Sequence, residues 1–444
     1  MNFCNVTARA LSAAFLAGDF DVDGLVVRGS RVLGKRRRWL RPLARRAVET
    51  FAGRPRPRRV TLAEFILGDP GFLQASRRHG LRPATLPTAP SIMCPVGAAE
   101  SWQIPSIRSA GELADWLGVT IGELEWFADR RSLEYKWNHG RLRHYHYRPL
   151  TKRSGQVRMV EAPKPRLKAI QRRILAGILD HIPLHDAAHG FRRGRSINTF
   201  ASPHAGKRVV LKIDLHDFFP SIRLARIQAL FRTIGYPEEV ADLLAGLCTN
   251  ATPPDVWEAD TIRLAGGQLQ EACWLYSQPH LPQGAPTSPA LANLCAYRLD
   301  CRLHGLAQSA HAVYTRYADD LAFSGDRDFE RAAKRFHLHV CATVMEEGFS
   351  VHHRKTRIMR QGVRQRLTGL VVNERLNVSR RQFDCLKATL TNCIRFGPQS
   401  QNRSGHGEYR AHLDGRISFV ETINPARGHR LRELFDRIEW PERD

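Results

Sequence analysis

Two adjacent carboxylates are the first residues with evident chemistry. In TRYADDLAFSG (315–325), Tyr317 and Ala318 lead into Asp319 and Asp320, with apolar β-formers on both sides. That pattern predicts a hairpin whose turn presents a pair of acids. A third acid, Asp214, ends the β-type run from Val209 to Ile213 within VVLKIDLHDFFPSI (209–222). Carboxylates at strand ends and hairpin tips can converge on two divalent cations, the arrangement that nucleotidyl transfer requires. One ion activates an attacking hydroxyl, and the other holds a triphosphate and its leaving pyrophosphate. An Asp-Asp pair alone is a weak signal, because exposed turns often carry two acids.

Other residues suit the same chemistry. Lys152 and Arg158 flank a turn at Ser154-Gly155, which can fold two cations over a triphosphate, although both also read as surface charges. Gln283 and Gly284 open a strand-to-helix turn where a glycine lets backbone approach a ligand. Lys355 follows a helix expected to end near Gly348 and can protonate a leaving pyrophosphate, or be an ordinary exposed lysine. His144/His146 and His352/His353 are the paired histidines. Nothing else of ligand character stands at a suitable spacing from them, so they read as surface or nucleic-acid-facing residues. The nine cysteines are scattered, with no Cys-x-x-Cys, which fits a reducing compartment.

The elements that must position these groups can be sketched. Residues 1–85 read as a basic helical extension, in which 33–51 place Leu40, Leu43, Ala47 and Phe51 at helical spacing, with Pro42 bending or restarting the helix. Residues 86–105 read as a proline-bearing linker. Capping boxes at Ser109/Glu112 and Thr120/Glu123 predict a helix pair over 109–117 and 120–130. From 106 to 375 short β-runs alternate with helices, an α+β body. Residues 376–444 return to helix, with Phe383, Leu386, Leu390 and Ile394 on one face of 379–395 and Arg380, Arg381 and Lys387 off it.

Composition narrows the class. A chain of 444 residues that is 43% hydrophobic and 25% charged is too long for a disulfide-stapled miniprotein and too apolar for a disordered one. The net charge of +25 points to a polyanionic partner, although a solvated basic surface would read the same. The apolar stretch from Leu11 to Ala17 is too short to cross a membrane and lacks a basic leader, so a soluble, cytoplasmic protein with no membrane partner is expected.

Taken in order, these blocks resemble a retroelement reverse transcriptase, most closely the bacterial retron type, over about 105–440. The Tyr-x-Asp-Asp turn matches Tyr317 to Asp320, and Asp214 is followed five residues later by an aromatic, Phe219. LPQGAPTSPALANL (281–294) matches the Pro-Gln-Gly block. RMVEAPKPRLKAIQRRIL (158–175) and HGFRRGRSI (189–197) look like fingers motifs, and EEGFSVHHRKTR (346–357) and LTGLVVN (367–373) like the palm lysine and palm-to-thumb segments. Two accessory signatures depart from the retron pattern. Phe200 stands where Asn opens Asn-Ala-x-x-His, and Leu367 where Val opens Val-Thr-Gly.

The resemblance implies a right-hand polymerase: fingers and palm at 106–375, the palm an antiparallel sheet backed by helices, and a helical thumb at 376–444. It implies two Mg2+ ions, with Mn2+ as a substitute, held by Asp214, Leu215, Asp319 and Asp320. It makes Lys152, Arg158, Leu215, Phe219, Gln283, Gly284 and Tyr317 substrate-binding, with Phe219 excluding a ribose 2′-OH, and Lys355 catalytic. It places RNA near Arg380, Arg381 and Lys387. The implied partners are deoxynucleoside triphosphates, a structured noncoding RNA copied into single-stranded DNA, and a separate effector protein in antiphage defence. The alternatives are a group II intron-like or other defence-associated reverse transcriptase, an RNA-dependent RNA polymerase, and an RNA-binding scaffold with a residual palm.

Overall fold

A computed structural model of the protein describes residues 3–85, 92–136, 143–151, 157–258 and 266–440. Lys152, the turn at Ser154-Gly155 and the first residues of the proline-bearing linker (86–91) lie outside the described residues. The chain divides into two compact units, Met1–Pro183 with Phe219–Cys295, and Leu184–Phe218 with Ala296–Asp444.

The first unit begins with helices Phe3–Leu16, Val22–Val32, Leu40–Phe51, Arg59–Gly68 and Pro70–His79. They close on a core of their own that includes Leu11, Phe15, Leu25, Leu40, Leu43, Leu62 and Phe72. The helix expected over 33–51 starts only at Leu40. Gly34 has φ 69, Arg36 and Arg37 are irregular, and Pro42 sits in the first helical turn, where its missing N–H leaves no bond unmade. Arg58 reaches from this bundle to Glu238 (3.3 Å) and Asp242 (3.0 Å) on helix Glu238–Cys248.

Helices Ala110–Leu117 and Ile121–Ala128 follow, at the positions the capping residues mark. Thr120 and Glu123 form a reciprocal capping box, whereas Glu112 turns back to Arg108 instead of Ser109. Strands β1 (Tyr145–Thr151) and β2 (Val157–Pro163) pair antiparallel. On β2, Glu161 is fully buried and accepts from Asn250 Nδ2 (2.8 Å) and Thr252 Oγ1 (2.9 Å), with His280 Nε2 at 2.9 Å from its other oxygen. A buried carboxylate needs such partners, because leaving it unpaired costs several kcal/mol.

The second unit holds a four-stranded antiparallel sheet in the order β4–β5–β3–β6, with β3 at Val209–Asp214, β4 at Val313–Tyr317, β5 at Asp320–Gly325 and β6 at Arg357–Arg360. Helices Tyr297–Ser309 and Arg327–Glu346 pack on it, and Phe323 stacks on Tyr314 (4.8 Å) and meets Phe336 edge-on (5.1 Å). Phe200, Val210, Ala322, Leu367 and Leu370 form a second cluster. A short hairpin, β7 (Arg366–Leu367) with β8 (Leu370–Val371), turns through Thr368 and Gly369, both at positive φ. Helices Arg380–Phe396, Tyr409–Ile423 and Pro425–Phe435 close on Leu386, Leu390, Leu413, Ile417 and Leu431. The expected antiparallel sheet backed by helices and the helical C-terminal region are therefore present. Among the described residues no helix is long and apolar enough to cross a membrane.

Candidate active site

The second unit gathers the three acids at one end of its sheet. Tyr317 pairs with Asp320 across β4 and β5, so Ala318 and Asp319 alone make the turn. Ala318 carries the left-handed backbone that so tight a reversal demands (φ 55), at a cost of about 1 kcal/mol for a residue with a Cβ. Asp214, the last residue of β3, lies opposite Asp320 in register, and the Leu215 N–H donates to the Asp319 carbonyl at 2.8 Å. On its other side Leu215 bridges Val351 through hydrogen bonds made by its neighbours, His352 N to Asp214 O and His216 N to Ser350 O, both 2.7 Å.

Each of two acids has a lysine. Lys355 Nζ donates to Asp214 Oδ1 at 2.9 Å, and Lys212 Nζ lies 2.8 Å from Asp320 Oδ1 and donates to Oδ2 at 3.0 Å. Among the described residues no ion pair reaches Asp319. Burial, then the charges of Asp320 and Asp214, push its carboxyl up to about 6. Burial also raises Asp320, against the pull of Lys212. Three acids against two lysines leave an excess negative charge in a half-dry site, which favours added positive charge. The donors are hard carboxylate oxygens, so the set fits a hard divalent cation.

The turn is held from beneath by residues whose part the sequence reading missed. Arg316, fully buried, pairs with Asp300 (2.8 and 2.6 Å) and donates to the Ala318 carbonyl at 3.2 Å. Its backbone exchanges bonds with 187–189, Arg316 N to Ala187 O (2.7 Å) and His189 N to Arg316 O (2.8 Å). The next residue, Gly190, packs so closely that a Cβ on it would stand 2.6 Å from Ala318 N. Farther along the hairpin, His204 joins the two strands, with Nδ1 2.6 Å from Ser324 Oγ and Nε2 2.8 Å from Thr315 Oγ1. Burial holds its imidazole neutral, with the pKa lowered to about 3. Phe200, where the retron pattern has Asn, is a core residue whose ring lies 5.8 Å from that of half-buried Tyr317.

Gln283 and Gly284 belong to the first unit. Glu161 N donates to the Gln283 carbonyl (2.8 Å), and Gly284, at φ 132, leaves no room for a Cβ, which would meet the Glu161 carbonyl at 2.8 Å. The turn thus lies flat on β2 above the buried Glu161 network, and Gln283 Oε1 is buried with no hydrogen-bond partner. Arg158 is exposed on β2, opposite Leu150. Phe219 is half-buried in the short helix Phe218–Ser221, while Phe218 is core, 5.6 Å from the Phe349 ring. In the second unit Arg380, Arg381 and Lys387 are exposed on their helix, with Arg380 3.5 Å from Asp384.

Comparison with known proteins agrees with this geometry. Residues 150–386 match the family described as reverse transcriptase (RNA-dependent DNA polymerase), enzymes that use divalent metal ions. The chain is 43% identical over 332 residues to the Retron Mx65 reverse transcriptase of Myxococcus xanthus, covering 74% of this chain and 71% of that one. It is 37% identical over 350 residues to the Retron Mx162 enzyme of the same organism (76% and 68% covered). To the Retron Ec86 reverse transcriptase of Escherichia coli it is 29% identical over 285 residues (64% and 77% covered). With the acids on the rim of an antiparallel sheet and this kinship on either side of them, the chain belongs to the retron reverse transcriptases, RNA-directed DNA polymerases with a palm-type fold.

Proposed function

We propose that this polymerase copies a structured noncoding RNA into single-stranded DNA that stays attached to it, by two-metal nucleotidyl transfer at Asp214, Asp319 and Asp320. What carries the reading is the meeting of these three carboxylates at the end of β3 and the β4–β5 turn. Two Mg2+ ions, with Mn2+ as a substitute, would be held by these acids and the Leu215 carbonyl, and would supply nucleophile activation and leaving-group stabilisation. Lys212 opposes the burial-driven rise of the Asp320 carboxyl, and Lys355, half-exposed beside Asp214, would hand a proton to departing pyrophosphate.

Family resemblance assigns the remaining roles. Phe219, half-buried beside the core residue Phe218, rejects ribonucleotides. Gln283, Gly284, Arg158, Lys152 and Tyr317 bind the incoming deoxynucleoside triphosphate. Arg380, Arg381 and Lys387 bind RNA. We further propose a bacterial cytoplasmic setting, a role in antiphage defence and a separate effector protein. The chain would divide into an N-terminal extension (1–85), linker (86–105), fingers and palm (106–375) and thumb (376–444).

The decisive experiment is Asp319→Asn with Asp320→Asn. Removing two charges at constant volume takes away the anchor for the ions, so deoxynucleotide incorporation on an RNA template is lost while circular dichroism is unchanged. Extension at the wild-type rate would sink the assignment. Sequencing the nucleic acid that copurifies tests the template: a single structured RNA joined to DNA is expected, and random cellular RNA would refute it.

A further inference from the structure

Away from the carboxylates, three side chains of metal-binding type meet in the second unit. His337 and Cys341 stand one turn apart on helix Arg327–Glu346, with Nε2 and Sγ 3.2 Å apart. His353, from the turn His353–Lys355, joins them, and the three potential donor atoms all lie within 4.8 Å of one another. His337 and Cys341 are half-buried and His353 is exposed, so the cluster opens to solvent on one side.

We propose that His337, Cys341 and His353 form a binding site for a borderline divalent metal, Zn2+ in chemical class, distinct from the carboxylate site. Two imidazoles and a thiolate without a carboxylate select Zn2+ over Mg2+ or Ca2+, which take hard oxygen ligands. In a tetrahedral zinc site, bond lengths of about 2.3 Å to sulfur and 2.0–2.1 Å to nitrogen put neighbouring donors about 3.3–3.6 Å apart. The His337–Cys341 pair already stands near that spacing, and a small side-chain movement of exposed His353 brings in the third donor. Solvent access leaves the fourth position to water.

The site has a built-in connection to the reaction. His353 is two residues from Lys355, the partner of Asp214, and Val351 bridges Leu215 in the same segment. A metal that fastens this turn to helix Arg327–Glu346 therefore fixes the backbone from which Lys355 projects. The existence of the site does not depend on the polymerase reading, and its failure would leave that reading intact.

The test is optical titration of the full-length, chelator-treated protein with Co2+. A thiolate-to-cobalt charge-transfer band saturating at one equivalent is expected, displaced by Zn2+ and not by excess Mg2+. Cys341→Ser should abolish the band, and His353→Ala, which leaves the helix untouched, should weaken binding at least tenfold. Zinc should raise the melting temperature of the wild type and not of Cys341→Ser. No band, a band that persists in Cys341→Ser, or undiminished affinity in His353→Ala would each overturn the proposal.

Discussion

Lys212 Nζ sits 2.8 Å from Asp320 Oδ1, reaching from the middle of β3 to the first residue of β5. The lysine neutralises one member of the acid cluster without occupying the turn, so it tunes the carboxylate instead of competing at the hairpin tip. Replacing it by methionine removes the charge that opposes the burial-driven rise of Asp320. The acid limb of the extension rate against pH should move upward, with partial recovery in Lys212→Arg. An unmoved acid limb would make the pair purely structural.

Asp319 makes a second prediction, for stability of the metal-free protein. Its carboxyl is raised from 3.8 to about 6, so the folded state holds the proton more tightly than the unfolded chain. The contribution is fully present below the unfolded value and is lost as pH rises through about 6. Asp319→Asn should therefore stabilise the metal-free protein at pH 8 by roughly 3 kcal/mol and by almost nothing at acid pH. Urea titrations with a chelator present, at several pH values, measure this directly. A divalent cation should stabilise the wild type and leave the variant largely unaffected.

For Phe219, shortening the ring opens the space proposed to exclude a 2′-OH. Phe219→Ala and Phe219→Val should lower the ratio of kcat/KM for deoxy- over ribonucleotides by at least tenfold, about 1.4 kcal/mol of discrimination. A ratio equal to that of the wild type would make Phe219 a packing residue like Phe218.

The exposed charges of helix Arg380–Phe396 give a prediction about RNA. Each phosphate contact on a single strand contributes about 0.7 to the slope of log K against log salt. Changing Arg380, Arg381 and Lys387 together to glutamine should weaken binding of the copurifying RNA and flatten that slope by about 2, while sparing extension on a saturating generic primer–template. The Arg380–Asp384 pair is too exposed to offset this, since such pairs contribute little. A slope that does not change would assign the charges to solubility.

How much of this could be read beforehand depended on sequence distance. Asp319 and Asp320 are adjacent between β-formers, and Asp214 ends its own strand, so local pattern was enough to expect the acids. Lys212 was invisible, because its pairing with Asp320 exists only in the β3–β5 register. The same holds for Arg316 and Gly190, whose significance lies in what the backbone of Ala318 meets. The histidine pair at 352–353 lacked a third ligand at any familiar spacing, and His337 and Cys341 reach it only after the chain folds back. At 33–51 periodicity extended a helix through a segment that Gly34 and Pro42 confine to Leu40 onward.

Gly190 bears no functional group, and no chemistry is expected of it. Yet a single methyl there would press on the amide of Ala318 and push the hairpin tip, with Asp319 at its apex, off the end of the sheet. In a saturation screen for polymerase activity position 190 should thus score as severely as the acids themselves, while variants there keep their expression level. Such a screen cannot separate residues that perform the reaction from residues that merely leave room for it.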